Sequence, residues 1–98
     1  MLAGDTLRQA LELITGERAR THGEKYINHS RICSLWNAYL ANAGTAIVLD
    51  PTDVALMLAL LKVARTQSGG AHNEDNYVDI AGYAAVAAET ASIDRADD

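Results

Sequence analysis

Asp75, Asp79 and Tyr83 stand at i, i+4 and i+8, so on a helix all three share one face. Two carboxylates one turn apart direct hard oxygen donors the same way, an arrangement that suits Mg²⁺ while substrate phosphate and water complete its shell. Asp75 also has a plain structural reading, because an acidic residue in a first helical turn is favoured by the helix dipole. Asp79 lies deeper, between Val78 and Ile80, where aspartate is a poor helix former. A solvated outer face is its alternative. Lys62 and Arg65 are three residues apart, which brings their heads together at the end of an apolar helix. Arginine grips phosphate with a planar fork and lysine meets it as a point charge. The same cations can instead close their own helix and pair with Asp75 or Asp79. A basic pair facing an acidic pair describes both an empty, salt-bridged site and one filled by phosphate and metal.

The run from His22 to His29 carries further polar groups. Glu24 and Asn28 are one turn apart if the stretch is helical and then face a ligand together. His29 and Cys33 share an i, i+4 face, with His22 a third soft-metal donor. Without a second cysteine or a paired-histidine motif, a surface histidine is a better reading than zinc. Trp36 and Tyr39 can stack a base, but inside an apolar stripe they read as core.

Four helical segments must position these groups. Asp5 or Thr6 can cap the first, whose Leu7, Ala10, Leu11 and Ile14 mark a buried face, with Gly16 at its end. Residues 17–23 admit either a frayed helix or a loop. The second helix starts between Glu24 and Asn28, carries the stripe Ile32, Leu35, Trp36, Tyr39 and Leu40, and stops at Ala43-Gly44. Thr45 to Leu49 has no partner strand and is expected to be a packed connector. Asp50-Pro51-Thr52-Asp53 is a strong helix start, with an N-cap carboxylate, proline at the first position and an acid in the first turn. The helix it opens is apolar on all sides for two turns and is expected to be covered by neighbours or by another subunit. Ser68-Gly69-Gly70 breaks it, Asn73 can cap the last helix, and the alanine-rich surface from Ile80 to Ala91, with Gly82, allows a close helix contact. The resulting expectation is a single all-α domain over residues 1–91 and a frayed acidic tail over 92–98.

Composition bounds the function. The net charge of −5 argues against general nucleic-acid binding and against an anionic membrane surface. The run from Val54 to Leu61 is far short of the roughly 20 residues of a membrane span. One cysteine and no leader pattern point to a reducing, cytoplasmic compartment. Hydrophobic residues make up 49% of the chain but aromatics only 5%, so small side chains dominate and oligomerisation is expected to complete the core. A glycine-rich phosphate loop, a nucleophile elbow and an HExxH motif are all missing, which sets aside Rossmann and acyl-transfer chemistry.

From about Thr21 to Ala88 the chain resembles a small domain of unknown function found in tailed phages and prophages. The likeness rests on His22-Gly23, Asn28, Leu35-Trp36-Asn37-Ala38-Tyr39-Leu40, Asp53-Val54-Ala55, Leu61-Lys62-Val63-Ala64-Arg65-Thr66, and Asn73 through Tyr83-Ala84-Ala85. That domain is distantly similar to the all-α nucleoside triphosphate pyrophosphatases of the MazG and dimeric dUTPase group. The resemblance implies a four-helix MazG-like bundle in a bacterial host cell, acidic residues around Mg²⁺, and cleavage of a nucleoside triphosphate to monophosphate and pyrophosphate. By it, Asp75 and Asp79 match acidic positions of the last catalytic helix. Lys62 and Arg65 fall where related phage nucleotide-modification proteins carry a basic pair, and Asn28 falls near a polar position opening the second helix. With Glu24, His22, Asn73 and Tyr83 these complete the candidate ligand-facing set. The Glu-x-x-Glu pair of the pyrophosphatases is replaced by Lys62 and Arg65, leaving Glu24 as the obvious third carboxylate. Three functions follow: a nucleotide-binding pyrophosphohydrolase, a non-catalytic sponge for a host nucleotide signal that counters defence, and a purely structural helical oligomer.

Overall fold

The computed structural model describes residues 1–16, 25–69 and 73–95. They form four helices, α1 (Ala3–Thr15), α2 (Lys25–Asn42), α3 (Pro51–Thr66) and α4 (Glu74–Asp94), and no strand occurs among the described residues. The all-α expectation is met. The main packing runs between α3 and α4; α1 lies against α4, and α2 against α3.

Local chemistry explains most of the boundaries. Asp50 and Asp53 cap α3 reciprocally: the Asp53 N–H donates to Asp50 Oδ1 at 2.8 Å and the Asp50 N–H to Asp53 Oδ2 at 2.9 Å. Asn73 opens α4, its Oδ1 accepting from the Asp75 N–H at 3.0 Å. At the end of α2, Gly44 takes φ +89° and the N–H groups of Gly44 and Thr45 return to the carbonyls of Ala41 and Leu40, a Schellman closure that a side chain at 44 would strain. The start of α1 departs from expectation. Leu2 occupies the N-cap position, and Asp5, inside the helix, reaches back to the Leu2 N–H at 3.3 Å.

Small residues let α4 approach its neighbours. Ala55 of α3 meets Val86 and Ala87 of α4, with Ile14 of α1 closing the cluster. Gly82 is buried, and a Cβ there would stand 3.9 Å from the Ile14 side chain. The expected close packing of the last helix is therefore present.

Four stretches expected to be covered are not covered within the chain. In α1, Ala10 is buried and Ile14 half-buried, but Leu7 and Leu11 are exposed. In α2, the inward side is built on His29 and Cys33, so Leu35 and Tyr39 are left 71% and 75% exposed. Beyond the Thr45 N–H bond to Leu40, the connector is held at Leu49, where Asn37 Nδ2 donates to the Leu49 carbonyl at 3.0 Å and the Leu49 N–H donates to Asn37 Oδ1 at 2.8 Å; Ile47 and Val48 face out. On α3 the all-round apolar surface is covered on its α4 side alone for much of its length, and Leu56, Met57, Leu60 and Leu61 are exposed. The expected tail also changes. α4 runs on through Ser92, Ile93 and Asp94, because Asp94 and Arg95 find partners at the start of the adjacent α3.

Candidate functional site

Thr52, Ala55 and Lys62 lie on the side of α3 that meets α4, against Thr90, Val86 with Ala87, and Asp79 respectively. This register brings Lys62 Nζ to 3.1 Å from Asp79 Oδ2, with the side chains 17% and 31% exposed. Each helix adds a like charge one turn away. Arg65 follows Lys62 and Asp75 precedes Asp79; both are exposed, and no ion pair joins them among the described residues. Tyr83 is half-buried one turn beyond Asp79. Asn73 is committed to its cap. Asn28 is half-buried on α2 and already has an interaction partner. His22 and Glu24 lie outside the described residues.

As chemistry, the Lys62–Asp79 contact is a half-shielded ammonium–carboxylate pair at a helix–helix seam. Its donor set fits a hard cation, with two carboxylates one turn apart on α4, and the ammonium opposite suits an anion. No group of three or more histidine, cysteine, aspartate or glutamate side chains capable of holding a metal occurs among the described residues, so the remaining ligands of a cation here would be water and phosphate. A surface depression of about 550 Å³ lies elsewhere, lined by Met1, Asp5, Arg8, Gln9, Glu12 and Glu74, and includes none of the candidate residues.

A second polar centre joins the Asp50–Asp53 cap to residues that the sequence reading assigns to the tail. Arg95 forks onto Asp50, Nε to Oδ2 at 2.8 Å and Nη2 to Oδ1 at 3.0 Å, and its Nη2 also reaches Asp53 Oδ1 at 3.0 Å. Beside it, Asp94 Oδ2 accepts from the Thr52 N–H at 3.0 Å and the Thr52 hydroxyl at 2.9 Å, while Asp94 Oδ1 accepts from the Tyr26 hydroxyl at 3.0 Å. The end of α4 thus caps the start of α3 and holds α2 to both. The Arg95 guanidinium bonded to Asp50 keeps that carboxyl below its usual range. Its stabilisation is therefore present above the ordinary carboxylate pKa and is lost as pH falls through the lowered value. The Asp94 carboxylate bonded to Tyr26 holds the phenol above its ordinary value. The available signal was the i, i+4 continuation from Val86 through Thr90 to Asp94, which keeps one face of α4 inward.

His29 and Cys33 are structural neighbours of this centre. Cys33 Sγ donates to the Leu49 carbonyl at 3.0 Å, and burial pushes the thiol up. His29, expected at the surface, is buried, and its Nδ1 has no hydrogen-bond partner. Burial lowers the imidazole below the ordinary histidine value, against a smaller opposing effect of the Pro51 carbonyl. The unfolded chain then binds a proton more readily than the folded one, so stability falls as pH drops below about 6.5 and levels off beneath the folded value. Chemical denaturation of wild type and His29→Gln between pH 7.5 and 5 is expected to show a descending slope that the variant flattens. Equal slopes would assign the acid sensitivity to other groups.

Comparison with known proteins places this geometry in a family setting. A model of the Domain of unknown function (DUF6378) matches residues 5–91. The chain is 46% identical over 80 residues to the "Gene 55 protein" of Mycobacterium phage L5, covering 82% of this chain and 48% of that protein. It is 36% identical over 78 residues to the "Gene 55 protein" of Mycobacterium phage D29, covering 80% of this chain and 48% of that protein. The chain thus spans about half the length of the curated relatives it matches. No solved structure matches it. Among the described residues, no helix is long and apolar enough to cross a membrane.

Proposed function

The chain belongs to the DUF6378 family, and from that premise we propose that it is a phage-type, MazG-like binding protein for a nucleotide or related phosphorylated small molecule, taken up together with Mg²⁺. The observation that carries this reading is the Lys62–Asp79 pair at 3.1 Å, flanked one turn away by Arg65 and by Asp75. In it, Lys62 exchanges its carboxylate partner for a phosphate oxygen, and Arg65 swings in to hold a second one by its fork. Asp79, released from Lys62, joins Asp75 in facing the cation. Asp75 and Asp79 are the residues that would hold Mg²⁺, which would supply positive charge against the phosphates and a more acidic water. Half-exposure matters here, because a fully buried ion pair would resist opening and a fully exposed one would add little selectivity.

Capture is the activity supported best, and hydrolysis between the α and β phosphates is the further step that the MazG likeness implies. Calorimetric titration with nucleoside mono-, di- and triphosphates, with and without Mg²⁺, tests the first; pyrophosphate release on the same panel tests the second. We expect binding that strengthens with Mg²⁺ and with the number of phosphates. Binding without pyrophosphate, and with intact ligand recovered on heating, selects the sponge over the enzyme. Heat signals indistinguishable from buffer across the panel contradict both and leave the pair as a structural tie.

A further inference from the structure

The Lys62–Asp79 pair sits in a seam that other contacts hold shut. Two turns toward the start of α3, Ala55 packs on Val86 and Ala87, and one turn further the hydroxyls of Thr52 and Thr90 stand 2.9 Å apart. Opening the pair therefore moves side chains and leaves the helix register in place. Within the pair the ammonium is the more enclosed partner, 17% exposed against 31% for the carboxylate. Asp79 is thus the group that turns out to water, by rotation of one short side chain. Arg65 and Asp75, one turn away, are exposed and outside any ion pair among the described residues.

An anion approaching Lys62 meets a negative charge already in the place it would take, 3.1 Å from Nζ. Asp79 therefore competes with the ligand as well as serving it. Bound to Lys62 it blocks phosphate; turned to a divalent cation it leaves Lys62 free and no longer repels the anion. We propose that Asp79 is an internal gate on the ligand site, an intramolecular stand-in for phosphate that yields Lys62 when Mg²⁺ draws it away. The gate rests on the reading of Lys62 and Arg65 as the phosphate-holding pair. Cation and anion are then coupled through one side chain, each favouring the other by the same factor. A role as metal ligand alone gives the opposite sign for one variant: Asp79→Asn then only weakens the site, whereas removal of a gate frees Lys62.

Inorganic tripolyphosphate, titrated calorimetrically into the full chain, is the probe, first in EDTA and then in excess Mg²⁺. In EDTA, Asp79→Asn is expected to bind it about three- to tenfold more tightly than wild type, the weight of a partly sheltered ion pair. Asp79→Ala, a better helix former at this position, is expected to show the same gain. Asp75→Asn makes the same change of charge outside the pair and is expected to shift affinity by less than about twofold, since an exposed charge a turn away is screened. In Mg²⁺ the order reverses, and wild type binds more tightly than Asp79→Asn. A wild type that takes tripolyphosphate while neither Asp79 variant gains in EDTA, or while Asp75→Asn gains equally, overturns the gate and leaves the ligand reading standing. Heat signals indistinguishable from buffer for every protein in both conditions overturn the gate together with that reading.

Discussion

Asp94→Ala is expected to destabilise the fold by about 2–4 kcal/mol, because it leaves the N–H of Thr52, a residue only 2% exposed, without its acceptor. Three effects combine at this one carboxylate. It takes an orphan N–H in the first turn of α3, it places negative charge at that helix's positive end, and it anchors the Tyr26 hydroxyl of α2. The Thr52 hydroxyl retains Thr90 at 2.9 Å, which limits the damage. For a domain of this size the loss corresponds to a fall in Tm of roughly 10–20 °C. Asp94→Asn keeps an acceptor for Thr52 and is expected to recover most of the difference. If alanine and asparagine behave alike, or if alanine costs less than about 0.5 kcal/mol, the frayed tail read from sequence is the better description of this end of the chain.

Lys62→Met is expected to lower nucleotide affinity by about 10- to 100-fold while changing stability by no more than about 1 kcal/mol. The two parts belong together. An ion pair at a half-exposed seam contributes little to folding, since Asp79 can turn to water when its partner is lost. A charged hydrogen bond to a ligand phosphate has no such substitute once the ligand has displaced water from the seam. The exchange Lys62→Asp with Asp79→Lys separates the readings. It restores attraction between the helices and is expected to restore stability without restoring binding, because the carboxylate proposed to face the cation then lies on the wrong helix. Affinity that returns with the swap would show that only the tie between α3 and α4 matters.

What could be read from the sequence follows from the range of each interaction. The Asp50 and Asn73 caps act over two or three residues, and both were legible in residue order. Lys62 with Arg65 and Asp75 with Asp79 were legible as pairs on their own helices. That Lys62 would meet Asp79, with Asp75 left outside the ion pair, depends on the register between α3 and α4, in which Ala55 packs on Val86 and Ala87 and which no periodicity records. The contacts of Arg95 with Asp50 and Asp53 join residues 45 and 42 apart, so nothing local announced them. Leu35 and Tyr39 illustrate a different limit. Periodicity identifies residues that share a face, but an apolar face serves a core and an intermolecular contact equally well.

The most direct test of the proposed ligand site is a thermal-shift series with nucleoside triphosphates in Mg²⁺, run on wild type and Lys62→Met. A ligand at 100 times its Kd adds about 2.7 kcal/mol to stability, which for this chain is a rise of roughly 10 °C or more. The site described here predicts that rise in wild type, a smaller one when Mg²⁺ is chelated, and little or none in the variant at the same ligand concentration. Equal shifts in the two proteins, or no shift in either, would contradict it.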